Sequence, residues 1–375
     1  MMPRNRVLFA LTIMAIACGA FGGFLAEAPN RLLSGKPIAL WQADTAAAVE
    51  LAALATAPLL ASFLRPARGS LAAILILSGG GLLLLLFDAG HIAASLATSA
   101  RPAARISLGW AFWASGFCLA MIVLDTLQRL RAGNLLRLAV VAAIAAAILA
   151  LALAGTFDSL SIAREYAARR AEFGTALLQH CVLVATAVLL AIVLGAPLGL
   201  LAARRPQSGT GIFGALNLLQ TIPSVALFGL LIAPLSALGI GGIGAVPAII
   251  ALVLYSLLPV ARNTQAGIAG IDRGVIDAAR GMGLTQSQIL WRIELPLGMP
   301  VFLAGLRIVT VQAIGLTAVA ALIGAGGLGT FIFQGIGQYA IDLVLLGTVP
   351  TILLALAADF LLALLAAFFE RSRHD

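Results

Sequence analysis

The stretch IDRGVIDAARGMGLTQSQILWRIELPLGMP, residues 271–300, decides the fold, because it is a polar segment inside a very hydrophobic chain. Asp272 can cap a helix that follows it, since its carboxylate can accept a free backbone N–H. Gly283 stands where a glycine lets the backbone turn left-handed after a helix. Thr285–Gln288 has capping-box spacing, and the helix that it starts must weaken before Pro296. The stretch therefore predicts a short helix, a glycine break, a second short helix and then a membrane span.

The composition of the whole chain indicates an integral membrane protein. Hydrophobic residues make up 62% of the 375 residues and charged residues 10%, whereas soluble domains are nearer one half and one quarter. The net charge of +8 does not indicate nucleic-acid binding, because the arginines are scattered singly between apolar runs.

Ten apolar runs are long enough, at about 20 residues, to cross a bilayer as helices. They are approximately Val7–Leu25, Thr45–Leu64, Leu71–Phe87, Leu108–Leu127, Leu138–Gly155, Ala176–Ala203, Ile212–Leu238, Ala245–Ala261, Gly298–Ile323 and Leu343–Phe369. We therefore expect an all-α membrane protein with about ten transmembrane helices. The first run also has features of a cleavable signal peptide, but its length favours a retained helix.

The basic residues predict the orientation of these helices. If the N-terminus is cytoplasmic, 15 of the 23 basic residues lie in cytoplasmic segments, seven lie outside, and Arg307 lies within the ninth run. This bias predicts that both termini are cytoplasmic. It also places the polar stretch, which contributes three of these 15 residues, in the cytoplasm.

The polar stretch resembles the cytoplasmic loop of the permease subunits of ABC importers. That loop reads E-A-A, three residues, G, nine residues, I-x-L-P. The matching residues here are Asp277, Ala278, Ala279, Gly283, Ile293, Leu295 and Pro296, with Asp in place of the family's Glu. The resemblance implies that residues 271–297 form a coupling helix that docks on an ATPase subunit. The two alanines would allow a partner to approach closely, and the alternative is an ordinary amphipathic cytoplasmic loop.

Three further stretches resemble the osmoprotectant branch of these permeases, which imports glycine betaine, carnitine or choline. They are LLQTIPS at 218–224, PAIIALVLYSLLPVARNT at 247–264 and ALIGAGGLG at 321–329. The resemblance covers residues 174–369 and implies a type I ABC importer permease core at residues 156–375. Residues 1–155 would be an N-terminal block of about five extra membrane helices. The implied location is the bacterial cytoplasmic (inner) membrane.

The resemblance also implies the partners. They are an ABC ATPase dimer, a periplasmic solute-binding protein, a second permease subunit of the same or a different sequence, and the lipid bilayer. ATP and Mg²⁺ would bind to the ATPase, so no cofactor is expected in this chain. Gly324–Gly329 is not a phosphate-binding loop, because no strand precedes it and no Lys-Ser or Lys-Thr follows it; we expect a bend or outer loop there.

Polar residues within the apolar runs are candidates for the translocation path or gate, because polar groups in a membrane usually face a cavity or another helix. They are Asn217, Gln220, Thr221, Pro223, Ser224, Arg307, Gln312 and Thr317. Pro223 should release a carbonyl that needs protein or water beside it. Helix–helix hydrogen bonding is the alternative role for the polar side chains. Arg307 could instead extend to the cytoplasmic rim, and Asp359 could pair with a basic residue of another helix.

Three other functions are open to the sequence. A permease for another small solute, such as an amino acid, would share the polar loop. An ion-coupled secondary transporter should have inverted repeats and intramembrane charge pairs, and the sequence reveals neither. A membrane-embedded enzyme would need converging His, Asp or Cys residues, but the three histidines are scattered and the three cysteines lie in apolar runs. No catalytic or metal-binding residue is therefore expected.

Overall fold

The computed structural model describes residues 3–30, 33, 35–65, 67–97 and 103–371. It divides the chain into two compact units. Unit 1 comprises Met1–Ala168 together with Tyr339–Asp342, and unit 2 comprises Arg169–Gln338 and Leu343–Asp375.

Unit 1 consists of helices around a small antiparallel sheet. Its helices are α1 (Arg6–Phe21), α2 (Leu40–Ala43), α3 (Thr45–Ala61), α4 (Arg68–Leu96), α5 (Trp110–Arg129), α6 (Asn134–Leu153) and α7 (Ser161–Ala168), and its strands are β1 (Gly23–Ala28), β2 (Lys36–Ala39) and β3 (Arg105–Leu108). The strand order is β2-β1-β3. The segment Tyr339–Asp342 belongs to this unit, in which the Ser107 hydroxyl donates to Asp342 Oδ2 (3.0 Å).

The sheet corrects the predicted bounds of two spans. The first span was expected to reach Leu25, but α1 ends at Phe21 and β1 begins at Gly23. Leu25 pairs with Leu108 of β3, so the predicted start of the fourth span is also a strand residue. The last turn of a helix leaves backbone C=O groups without hydrogen-bond partners. Pairing with a neighbouring strand supplies such partners, so both leucines lie in strands and not at helix ends.

Unit 2 contains the polar stretch and the remaining helices. They are α8 (Arg170–Arg204), α9 (Pro206–Gln220), α10 (Ser224–Ala237), α11 (Ala245–Ala269), α12 (Arg273–Gly281), α13 (Gln286–Ile289), α14 (Leu295–Ala320), α15 (Gly329–Gly337) and α16 (Ile341–Arg371), whose first two residues are counted with unit 1. A π-helical turn at Leu290–Glu294 joins α13 to α14, and a 3₁₀ turn at Ala321–Ile323 follows α14.

The prediction of an all-α membrane protein with about ten membrane helices is confirmed. In the described part of the chain, seven helices are long and apolar enough to span a membrane, and α9 with α10 adds an eighth if they form one span bent by 98°. The two other predicted runs form the shorter apolar helices α1 and α3, of 16 and 17 residues. The third predicted run, Leu71–Phe87, was too short, because α4 continues from Arg68 to Leu96.

Helices α8, α11 and α14 form the packed centre of unit 2, and glycines allow them to approach closely. A Cβ on Gly199 of α8 would collide with the Ala261 carbonyl oxygen and lie 2.7 Å from Thr264 Cβ, both on α11. A Cβ on Gly267 of α11 would lie 2.8 Å from the carbonyl oxygen of Gly298 at the start of α14. Close backbone contact therefore holds α11 and α14, the two helices that flank the polar stretch, against each other.

The glycine-rich segment after α14 forms the predicted bend. Gly324, Gly326 and Gly327 have φ angles of 77°, 79° and 81°, which a residue with a Cβ rarely adopts. The Gly327 N–H donates to Gln179 Oε1 of α8 at 3.3 Å. This hydrogen bond holds the bend against α8.

Candidate functional site

The first helix of the polar stretch forms as the sequence predicts. Asp272 Oδ1 accepts the Gly274 N–H at 2.7 Å and caps α12. Asp277 lies on the exposed side of this helix and pairs with Arg280, with Oδ1 and Nη1 3.3 Å apart. This pair is surface-exposed and contributes little stability, so the Asp277 carboxylate is available to a partner.

The break between the two short helices also matches the prediction. Gly283 has a φ of 80° and its N–H donates to the Arg280 carbonyl, while the Leu284 N–H donates to the Ala279 carbonyl. Thr285 and Gln288 then form a capping box: the Thr285 N–H donates to Gln288 Oε1 (2.8 Å), and the Gln288 N–H donates to Thr285 Oγ1 (3.3 Å). Since both caps use neighbouring residues, the sequence alone could predict them.

The α-helical hydrogen bonding of the second helix is interrupted before Pro296, as predicted, but the chain does not leave the helical conformation. The chain continues through the π-helical turn Leu290–Glu294 directly into α14. The Leu295 N–H donates to the Leu290 carbonyl, five residues back instead of four. The wider turn lets the chain enter the first turn of α14, where a missing proline N–H costs little. One continuous helical segment thus joins the second short helix to the membrane span.

The loop presents one side outward and packs the other. Ala278 and Pro296 are exposed, and Met282 is 71% exposed. Ala279 and Ile289 are fully buried. Ile293 and Leu295, on the π turn and at the start of α14, are half-buried. The matched residues therefore divide into an exposed surface around Asp277 and Ala278 and an inner set that holds the loop in place.

An ion pair that the sequence analysis missed anchors this loop. Glu294 is 3% exposed, lies in the π turn, and pairs with Arg204 at the end of α8. The two residues are 90 positions apart, so no spacing rule could join them. The available signal was an acidic side chain placed between the apolar residues Ile293 and Leu295. The pair connects the loop to the packed centre of unit 2.

A second group of candidates meets at the break between α9 and α10. The Ile222 carbonyl lies outside both helices and accepts a hydrogen bond from the Tyr255 hydroxyl of α11. The Gln220 side-chain amide donates to the Tyr255 carbonyl at 2.9 Å. Pro223 precedes α10, as expected of a residue that interrupts the helix and leaves a carbonyl in need of a protein donor. Tyr255 therefore fixes the bend from two sides.

The remaining candidates are spread over several places. The Thr221 hydroxyl donates to the Leu218 carbonyl and the buried Thr317 hydroxyl to the Ala313 carbonyl, so both bond within their own chain segment. Ser224 is the half-buried first residue of α10. Asn217 on α9 and Gln312 on α14 are exposed on the single chain.

Arg307 neither reaches a helix end nor joins the group at Tyr255. Its Nε and Nη2 donate to the two carboxylate oxygens of Asp359 on α16, at 2.9 and 2.8 Å. The expected pairing of Asp359 with a base on another helix is confirmed. The view that the sequence holds no intramembrane charge pair is corrected by the same contact. Residues 52 positions apart gave no sequence signal for it.

Metal binding has no support in the described residues. Within them, no group of three or more His, Cys, Asp or Glu side chains is placed to hold a metal ion.

Two family models together match most of the chain. The model described as "Binding-protein-dependent transport system inner membrane component" matches residues 195–372, and "ABC transporter permease YehY, N-terminal domain" matches residues 4–163.

Relatives and a solved structure match about half of the chain. The carnitine transport permease protein OpuCB of Listeria monocytogenes is 41% identical over 49% of this chain and 82% of its own length. The osmoprotectant import permease protein OsmW of Salmonella typhimurium is 46% identical over 49% of this chain and 85% of its own length. A solved structure of the MetNI methionine ABC transporter, in an inward-facing conformation, has a TM-score of 0.50 at 22% identity, covering 54% of this chain and 97% of its own chain. The last similarity concerns the fold alone.

Proposed function

Because the chain belongs to the inner-membrane permease components of binding-protein-dependent ABC transport systems, we propose that it forms the translocation path of an importer for quaternary-ammonium osmoprotectants. A separate ATPase dimer, which binds ATP and Mg²⁺, drives it, and a separate periplasmic binding protein delivers the solute. The chain itself is a transport subunit and not an enzyme.

One observation supports the coupling role. The polar loop has an exposed surface on which an ATPase could dock, and a buried side that attaches it to the helices of unit 2. Asp277 and Ala278 are exposed, whereas Ala279 and Ile289 are buried beneath them. Glu294 connects the same loop to Arg204 of α8. A push on α12 therefore reaches α13 across the turn at Gly283, passes from α13 into α14 through the continuous helical segment, and reaches α8 through the ion pair.

The substrate class is supported by the relatives, whose names specify carnitine and osmoprotectants. Aromatic cages commonly bind quaternary ammonium groups, and only 6% of this chain is aromatic. High-affinity recognition is therefore assigned to the binding protein, and the permease supplies a lower-affinity path. The methionine transporter supports the fold and gives no reason to prefer an amino acid.

A second permease subunit is supported by polar side chains on the surface of the single chain. Asn217 and Gln312 are exposed on helices of membrane-span character, and Thr221 is exposed at the break between α9 and α10. Polar groups at membrane depth face protein or water and not lipid. We assign them to a path that two permease subunits enclose, with both termini and the polar loop on the cytoplasmic side.

The N-terminal residues 1–155 are proposed to be an accessory block. The two permeases named above match only about half of this chain. The same alignments include 82% and 85% of the relatives' own lengths. An aligned segment of 184 residues accounts for most of each relative, which supports assigning the transport role to a permease core at residues 156–375.

The test is uptake of labelled glycine betaine in cells that lack other betaine systems and co-express the chain with its ATPase and binding protein. The variant Gly283→Arg places a bulky charge beside the exposed loop surface, and Gln207→Arg adds the same charge to an exposed position of α9. We expect wild type and Gln207→Arg to import betaine, and Gly283→Arg to lose import while remaining in the membrane.

Three outcomes separate the parts of the proposal. Normal uptake by Gly283→Arg contradicts the coupling role of the loop. An intact complex that imports no betaine contradicts the substrate class, and a panel of amino acids then tests the alternative. Uptake that resists ATP depletion but stops with an uncoupler contradicts ATP coupling altogether.

A further inference from the structure

The ion pair between Arg307 and Asp359 lies deep within two membrane helices. Arg307 is 12 residues after the first residue of α14 and 13 before its last, and Asp359 is 12 residues before the end of α16. At 1.5 Å per residue, Arg307 is about 18 Å from the nearer end of its helix. A hydrocarbon core is about 30 Å thick, so this pair lies near the middle of the membrane.

The surrounding packing holds the pair in place on one side. Ala313 and Ile314 of α14 pack with Leu354, Ala355 and Ala358 of α16 in one apolar cluster. Ala358 directly precedes Asp359, so the cluster fixes the backbone that carries the carboxylate. The two charged side chains thus start from well-defined positions on neighbouring helices.

The other side of the pair is open. The side chains of Arg307 and Asp359 remain 35% and 41% exposed. The pair uses Nε and Nη2 of the guanidinium, which leaves Nη1 without a hydrogen bond to the described residues. Each carboxylate oxygen accepts one of these bonds and can accept another. Half-exposed charges at this depth are costly against lipid and are usually found beside a water-filled cavity or another helix.

We propose that Arg307 and Asp359 form a transient binding station for a zwitterionic solute on its way through the membrane. A solute with a carboxylate and a quaternary ammonium, such as glycine betaine or carnitine, carries the same two charges as the pair. Its carboxylate accepts hydrogen bonds from the free guanidinium N–H groups, and its ammonium lies beside the Asp359 carboxylate. The empty station is neutral because the two side chains compensate each other. This inference rests on the proposed function and specifies where its path recognises the solute.

The proposal predicts opposite changes of selectivity when each charge is removed. Arg307→Gln leaves a carboxylate, which favours choline, a cation without a carboxylate, over glycine betaine. Asp359→Asn leaves a guanidinium, which repels choline and still binds the betaine carboxylate. Since each variant removes a hydrogen bond or contact to a charged group, we expect the betaine-to-choline ratio of uptake rates to move roughly tenfold in opposite directions.

The experiment measures both uptake rates at saturating solute in proteoliposomes that contain the complete complex and the loaded binding protein. Saturation removes differences in capture by the binding protein. The control is Arg129→Gln, which breaks the 2.7 Å pair with Asp125 in unit 1 and should leave the ratio unchanged. A pair that only stabilises the helices predicts equal losses of both substrates in both variants, because each variant breaks the same contact.

The outcomes distinguish this inference from the proposed function. Opposite shifts of the ratio support the station. A wild type that imports both solutes, with variants whose ratio does not change, overturns the station and leaves the importer assignment intact. A wild-type complex that imports neither solute contradicts the proposed substrate class and the station with it.

Discussion

Glu294, a buried carboxylate in the π-helical turn, forms an ion pair with Arg204, the last residue of α8. The pair connects the loop that carries Asp277 to the helix at the centre of unit 2. A buried charge is strongly destabilising when its partner is removed, whereas replacing both charges with apolar groups is often close to neutral. This asymmetry makes the pair accessible to a double-mutant cycle.

We expect Arg204→Met to lower the melting temperature of the purified complex, because it leaves Glu294 buried and unpaired. Arg204→Met/Glu294→Met should recover part of the loss, with an interaction energy of about 1 kcal/mol or more. Transport per ATP hydrolysed should remain low in the double variant, since the connection between loop and α8 is absent. Additive melting shifts from the two single variants would show that the pair has no energetic role.

Gly283 is predicted to tolerate asparagine and to reject a β-branched residue. Its φ of 80° is in the left-handed region, which Asn tolerates better than a β-branched residue such as Val. No atom lies within 4 Å of a Cβ added there, so backbone strain and not a clash separates the two variants. Gly283→Asn should retain most ATPase binding in a co-purification assay, and Gly283→Val should lose much of it. Equal binding by both variants would mean that the left-handed turn is unnecessary for docking.

The local features of the loop could be predicted from the sequence because their partners are close along the chain. Asp272 caps α12 two residues away, and Thr285 and Gln288 form their box within a single turn. The π turn was not predicted, since Pro296 alone indicates a stop as readily as a widened turn. Its register depends on how α14 packs, which is a property of the tertiary structure.

Features that join distant segments could not be predicted from pattern alone. The pairing of residues 25–28 with 105–108 turns the end of an apparent membrane span into a strand. Apolar residues at this junction satisfy a helix and a short buried strand equally well, so periodicity does not decide between them. Likewise, the sequence identified Arg307 and Asp359 as isolated charges, and only the packing of α14 against α16 brought them together.

Tyr255 is predicted to stabilise the bend between α9 and α10 through its hydroxyl. Tyr255→Phe removes the donor to the Ile222 carbonyl and should cost about 1–3 kcal/mol, because the carbonyl loses its partner in an apolar surrounding. The fall in melting temperature should exceed that of Tyr339→Phe, a control at an 89% exposed tyrosine. Equal melting temperatures for the two variants would contradict a structural role for the hydroxyl.

Two glycines of α8 provide a matched test of the close packing in unit 2. Gly199 faces the α11 backbone, where an added Cβ would collide with the Ala261 carbonyl oxygen, whereas no atom lies within 4 Å of a Cβ added to Gly174. Alanine at an unobstructed helix position is favoured over glycine by about 0.5–1 kcal/mol, so Gly174→Ala should raise the melting temperature slightly. Gly199→Ala should lower it, since overpacking of a tight interface costs about 1–3 kcal/mol. A rise in both variants would mean that α8 and α11 can separate without loss, and that the contact at Gly199 does not hold these two helices together.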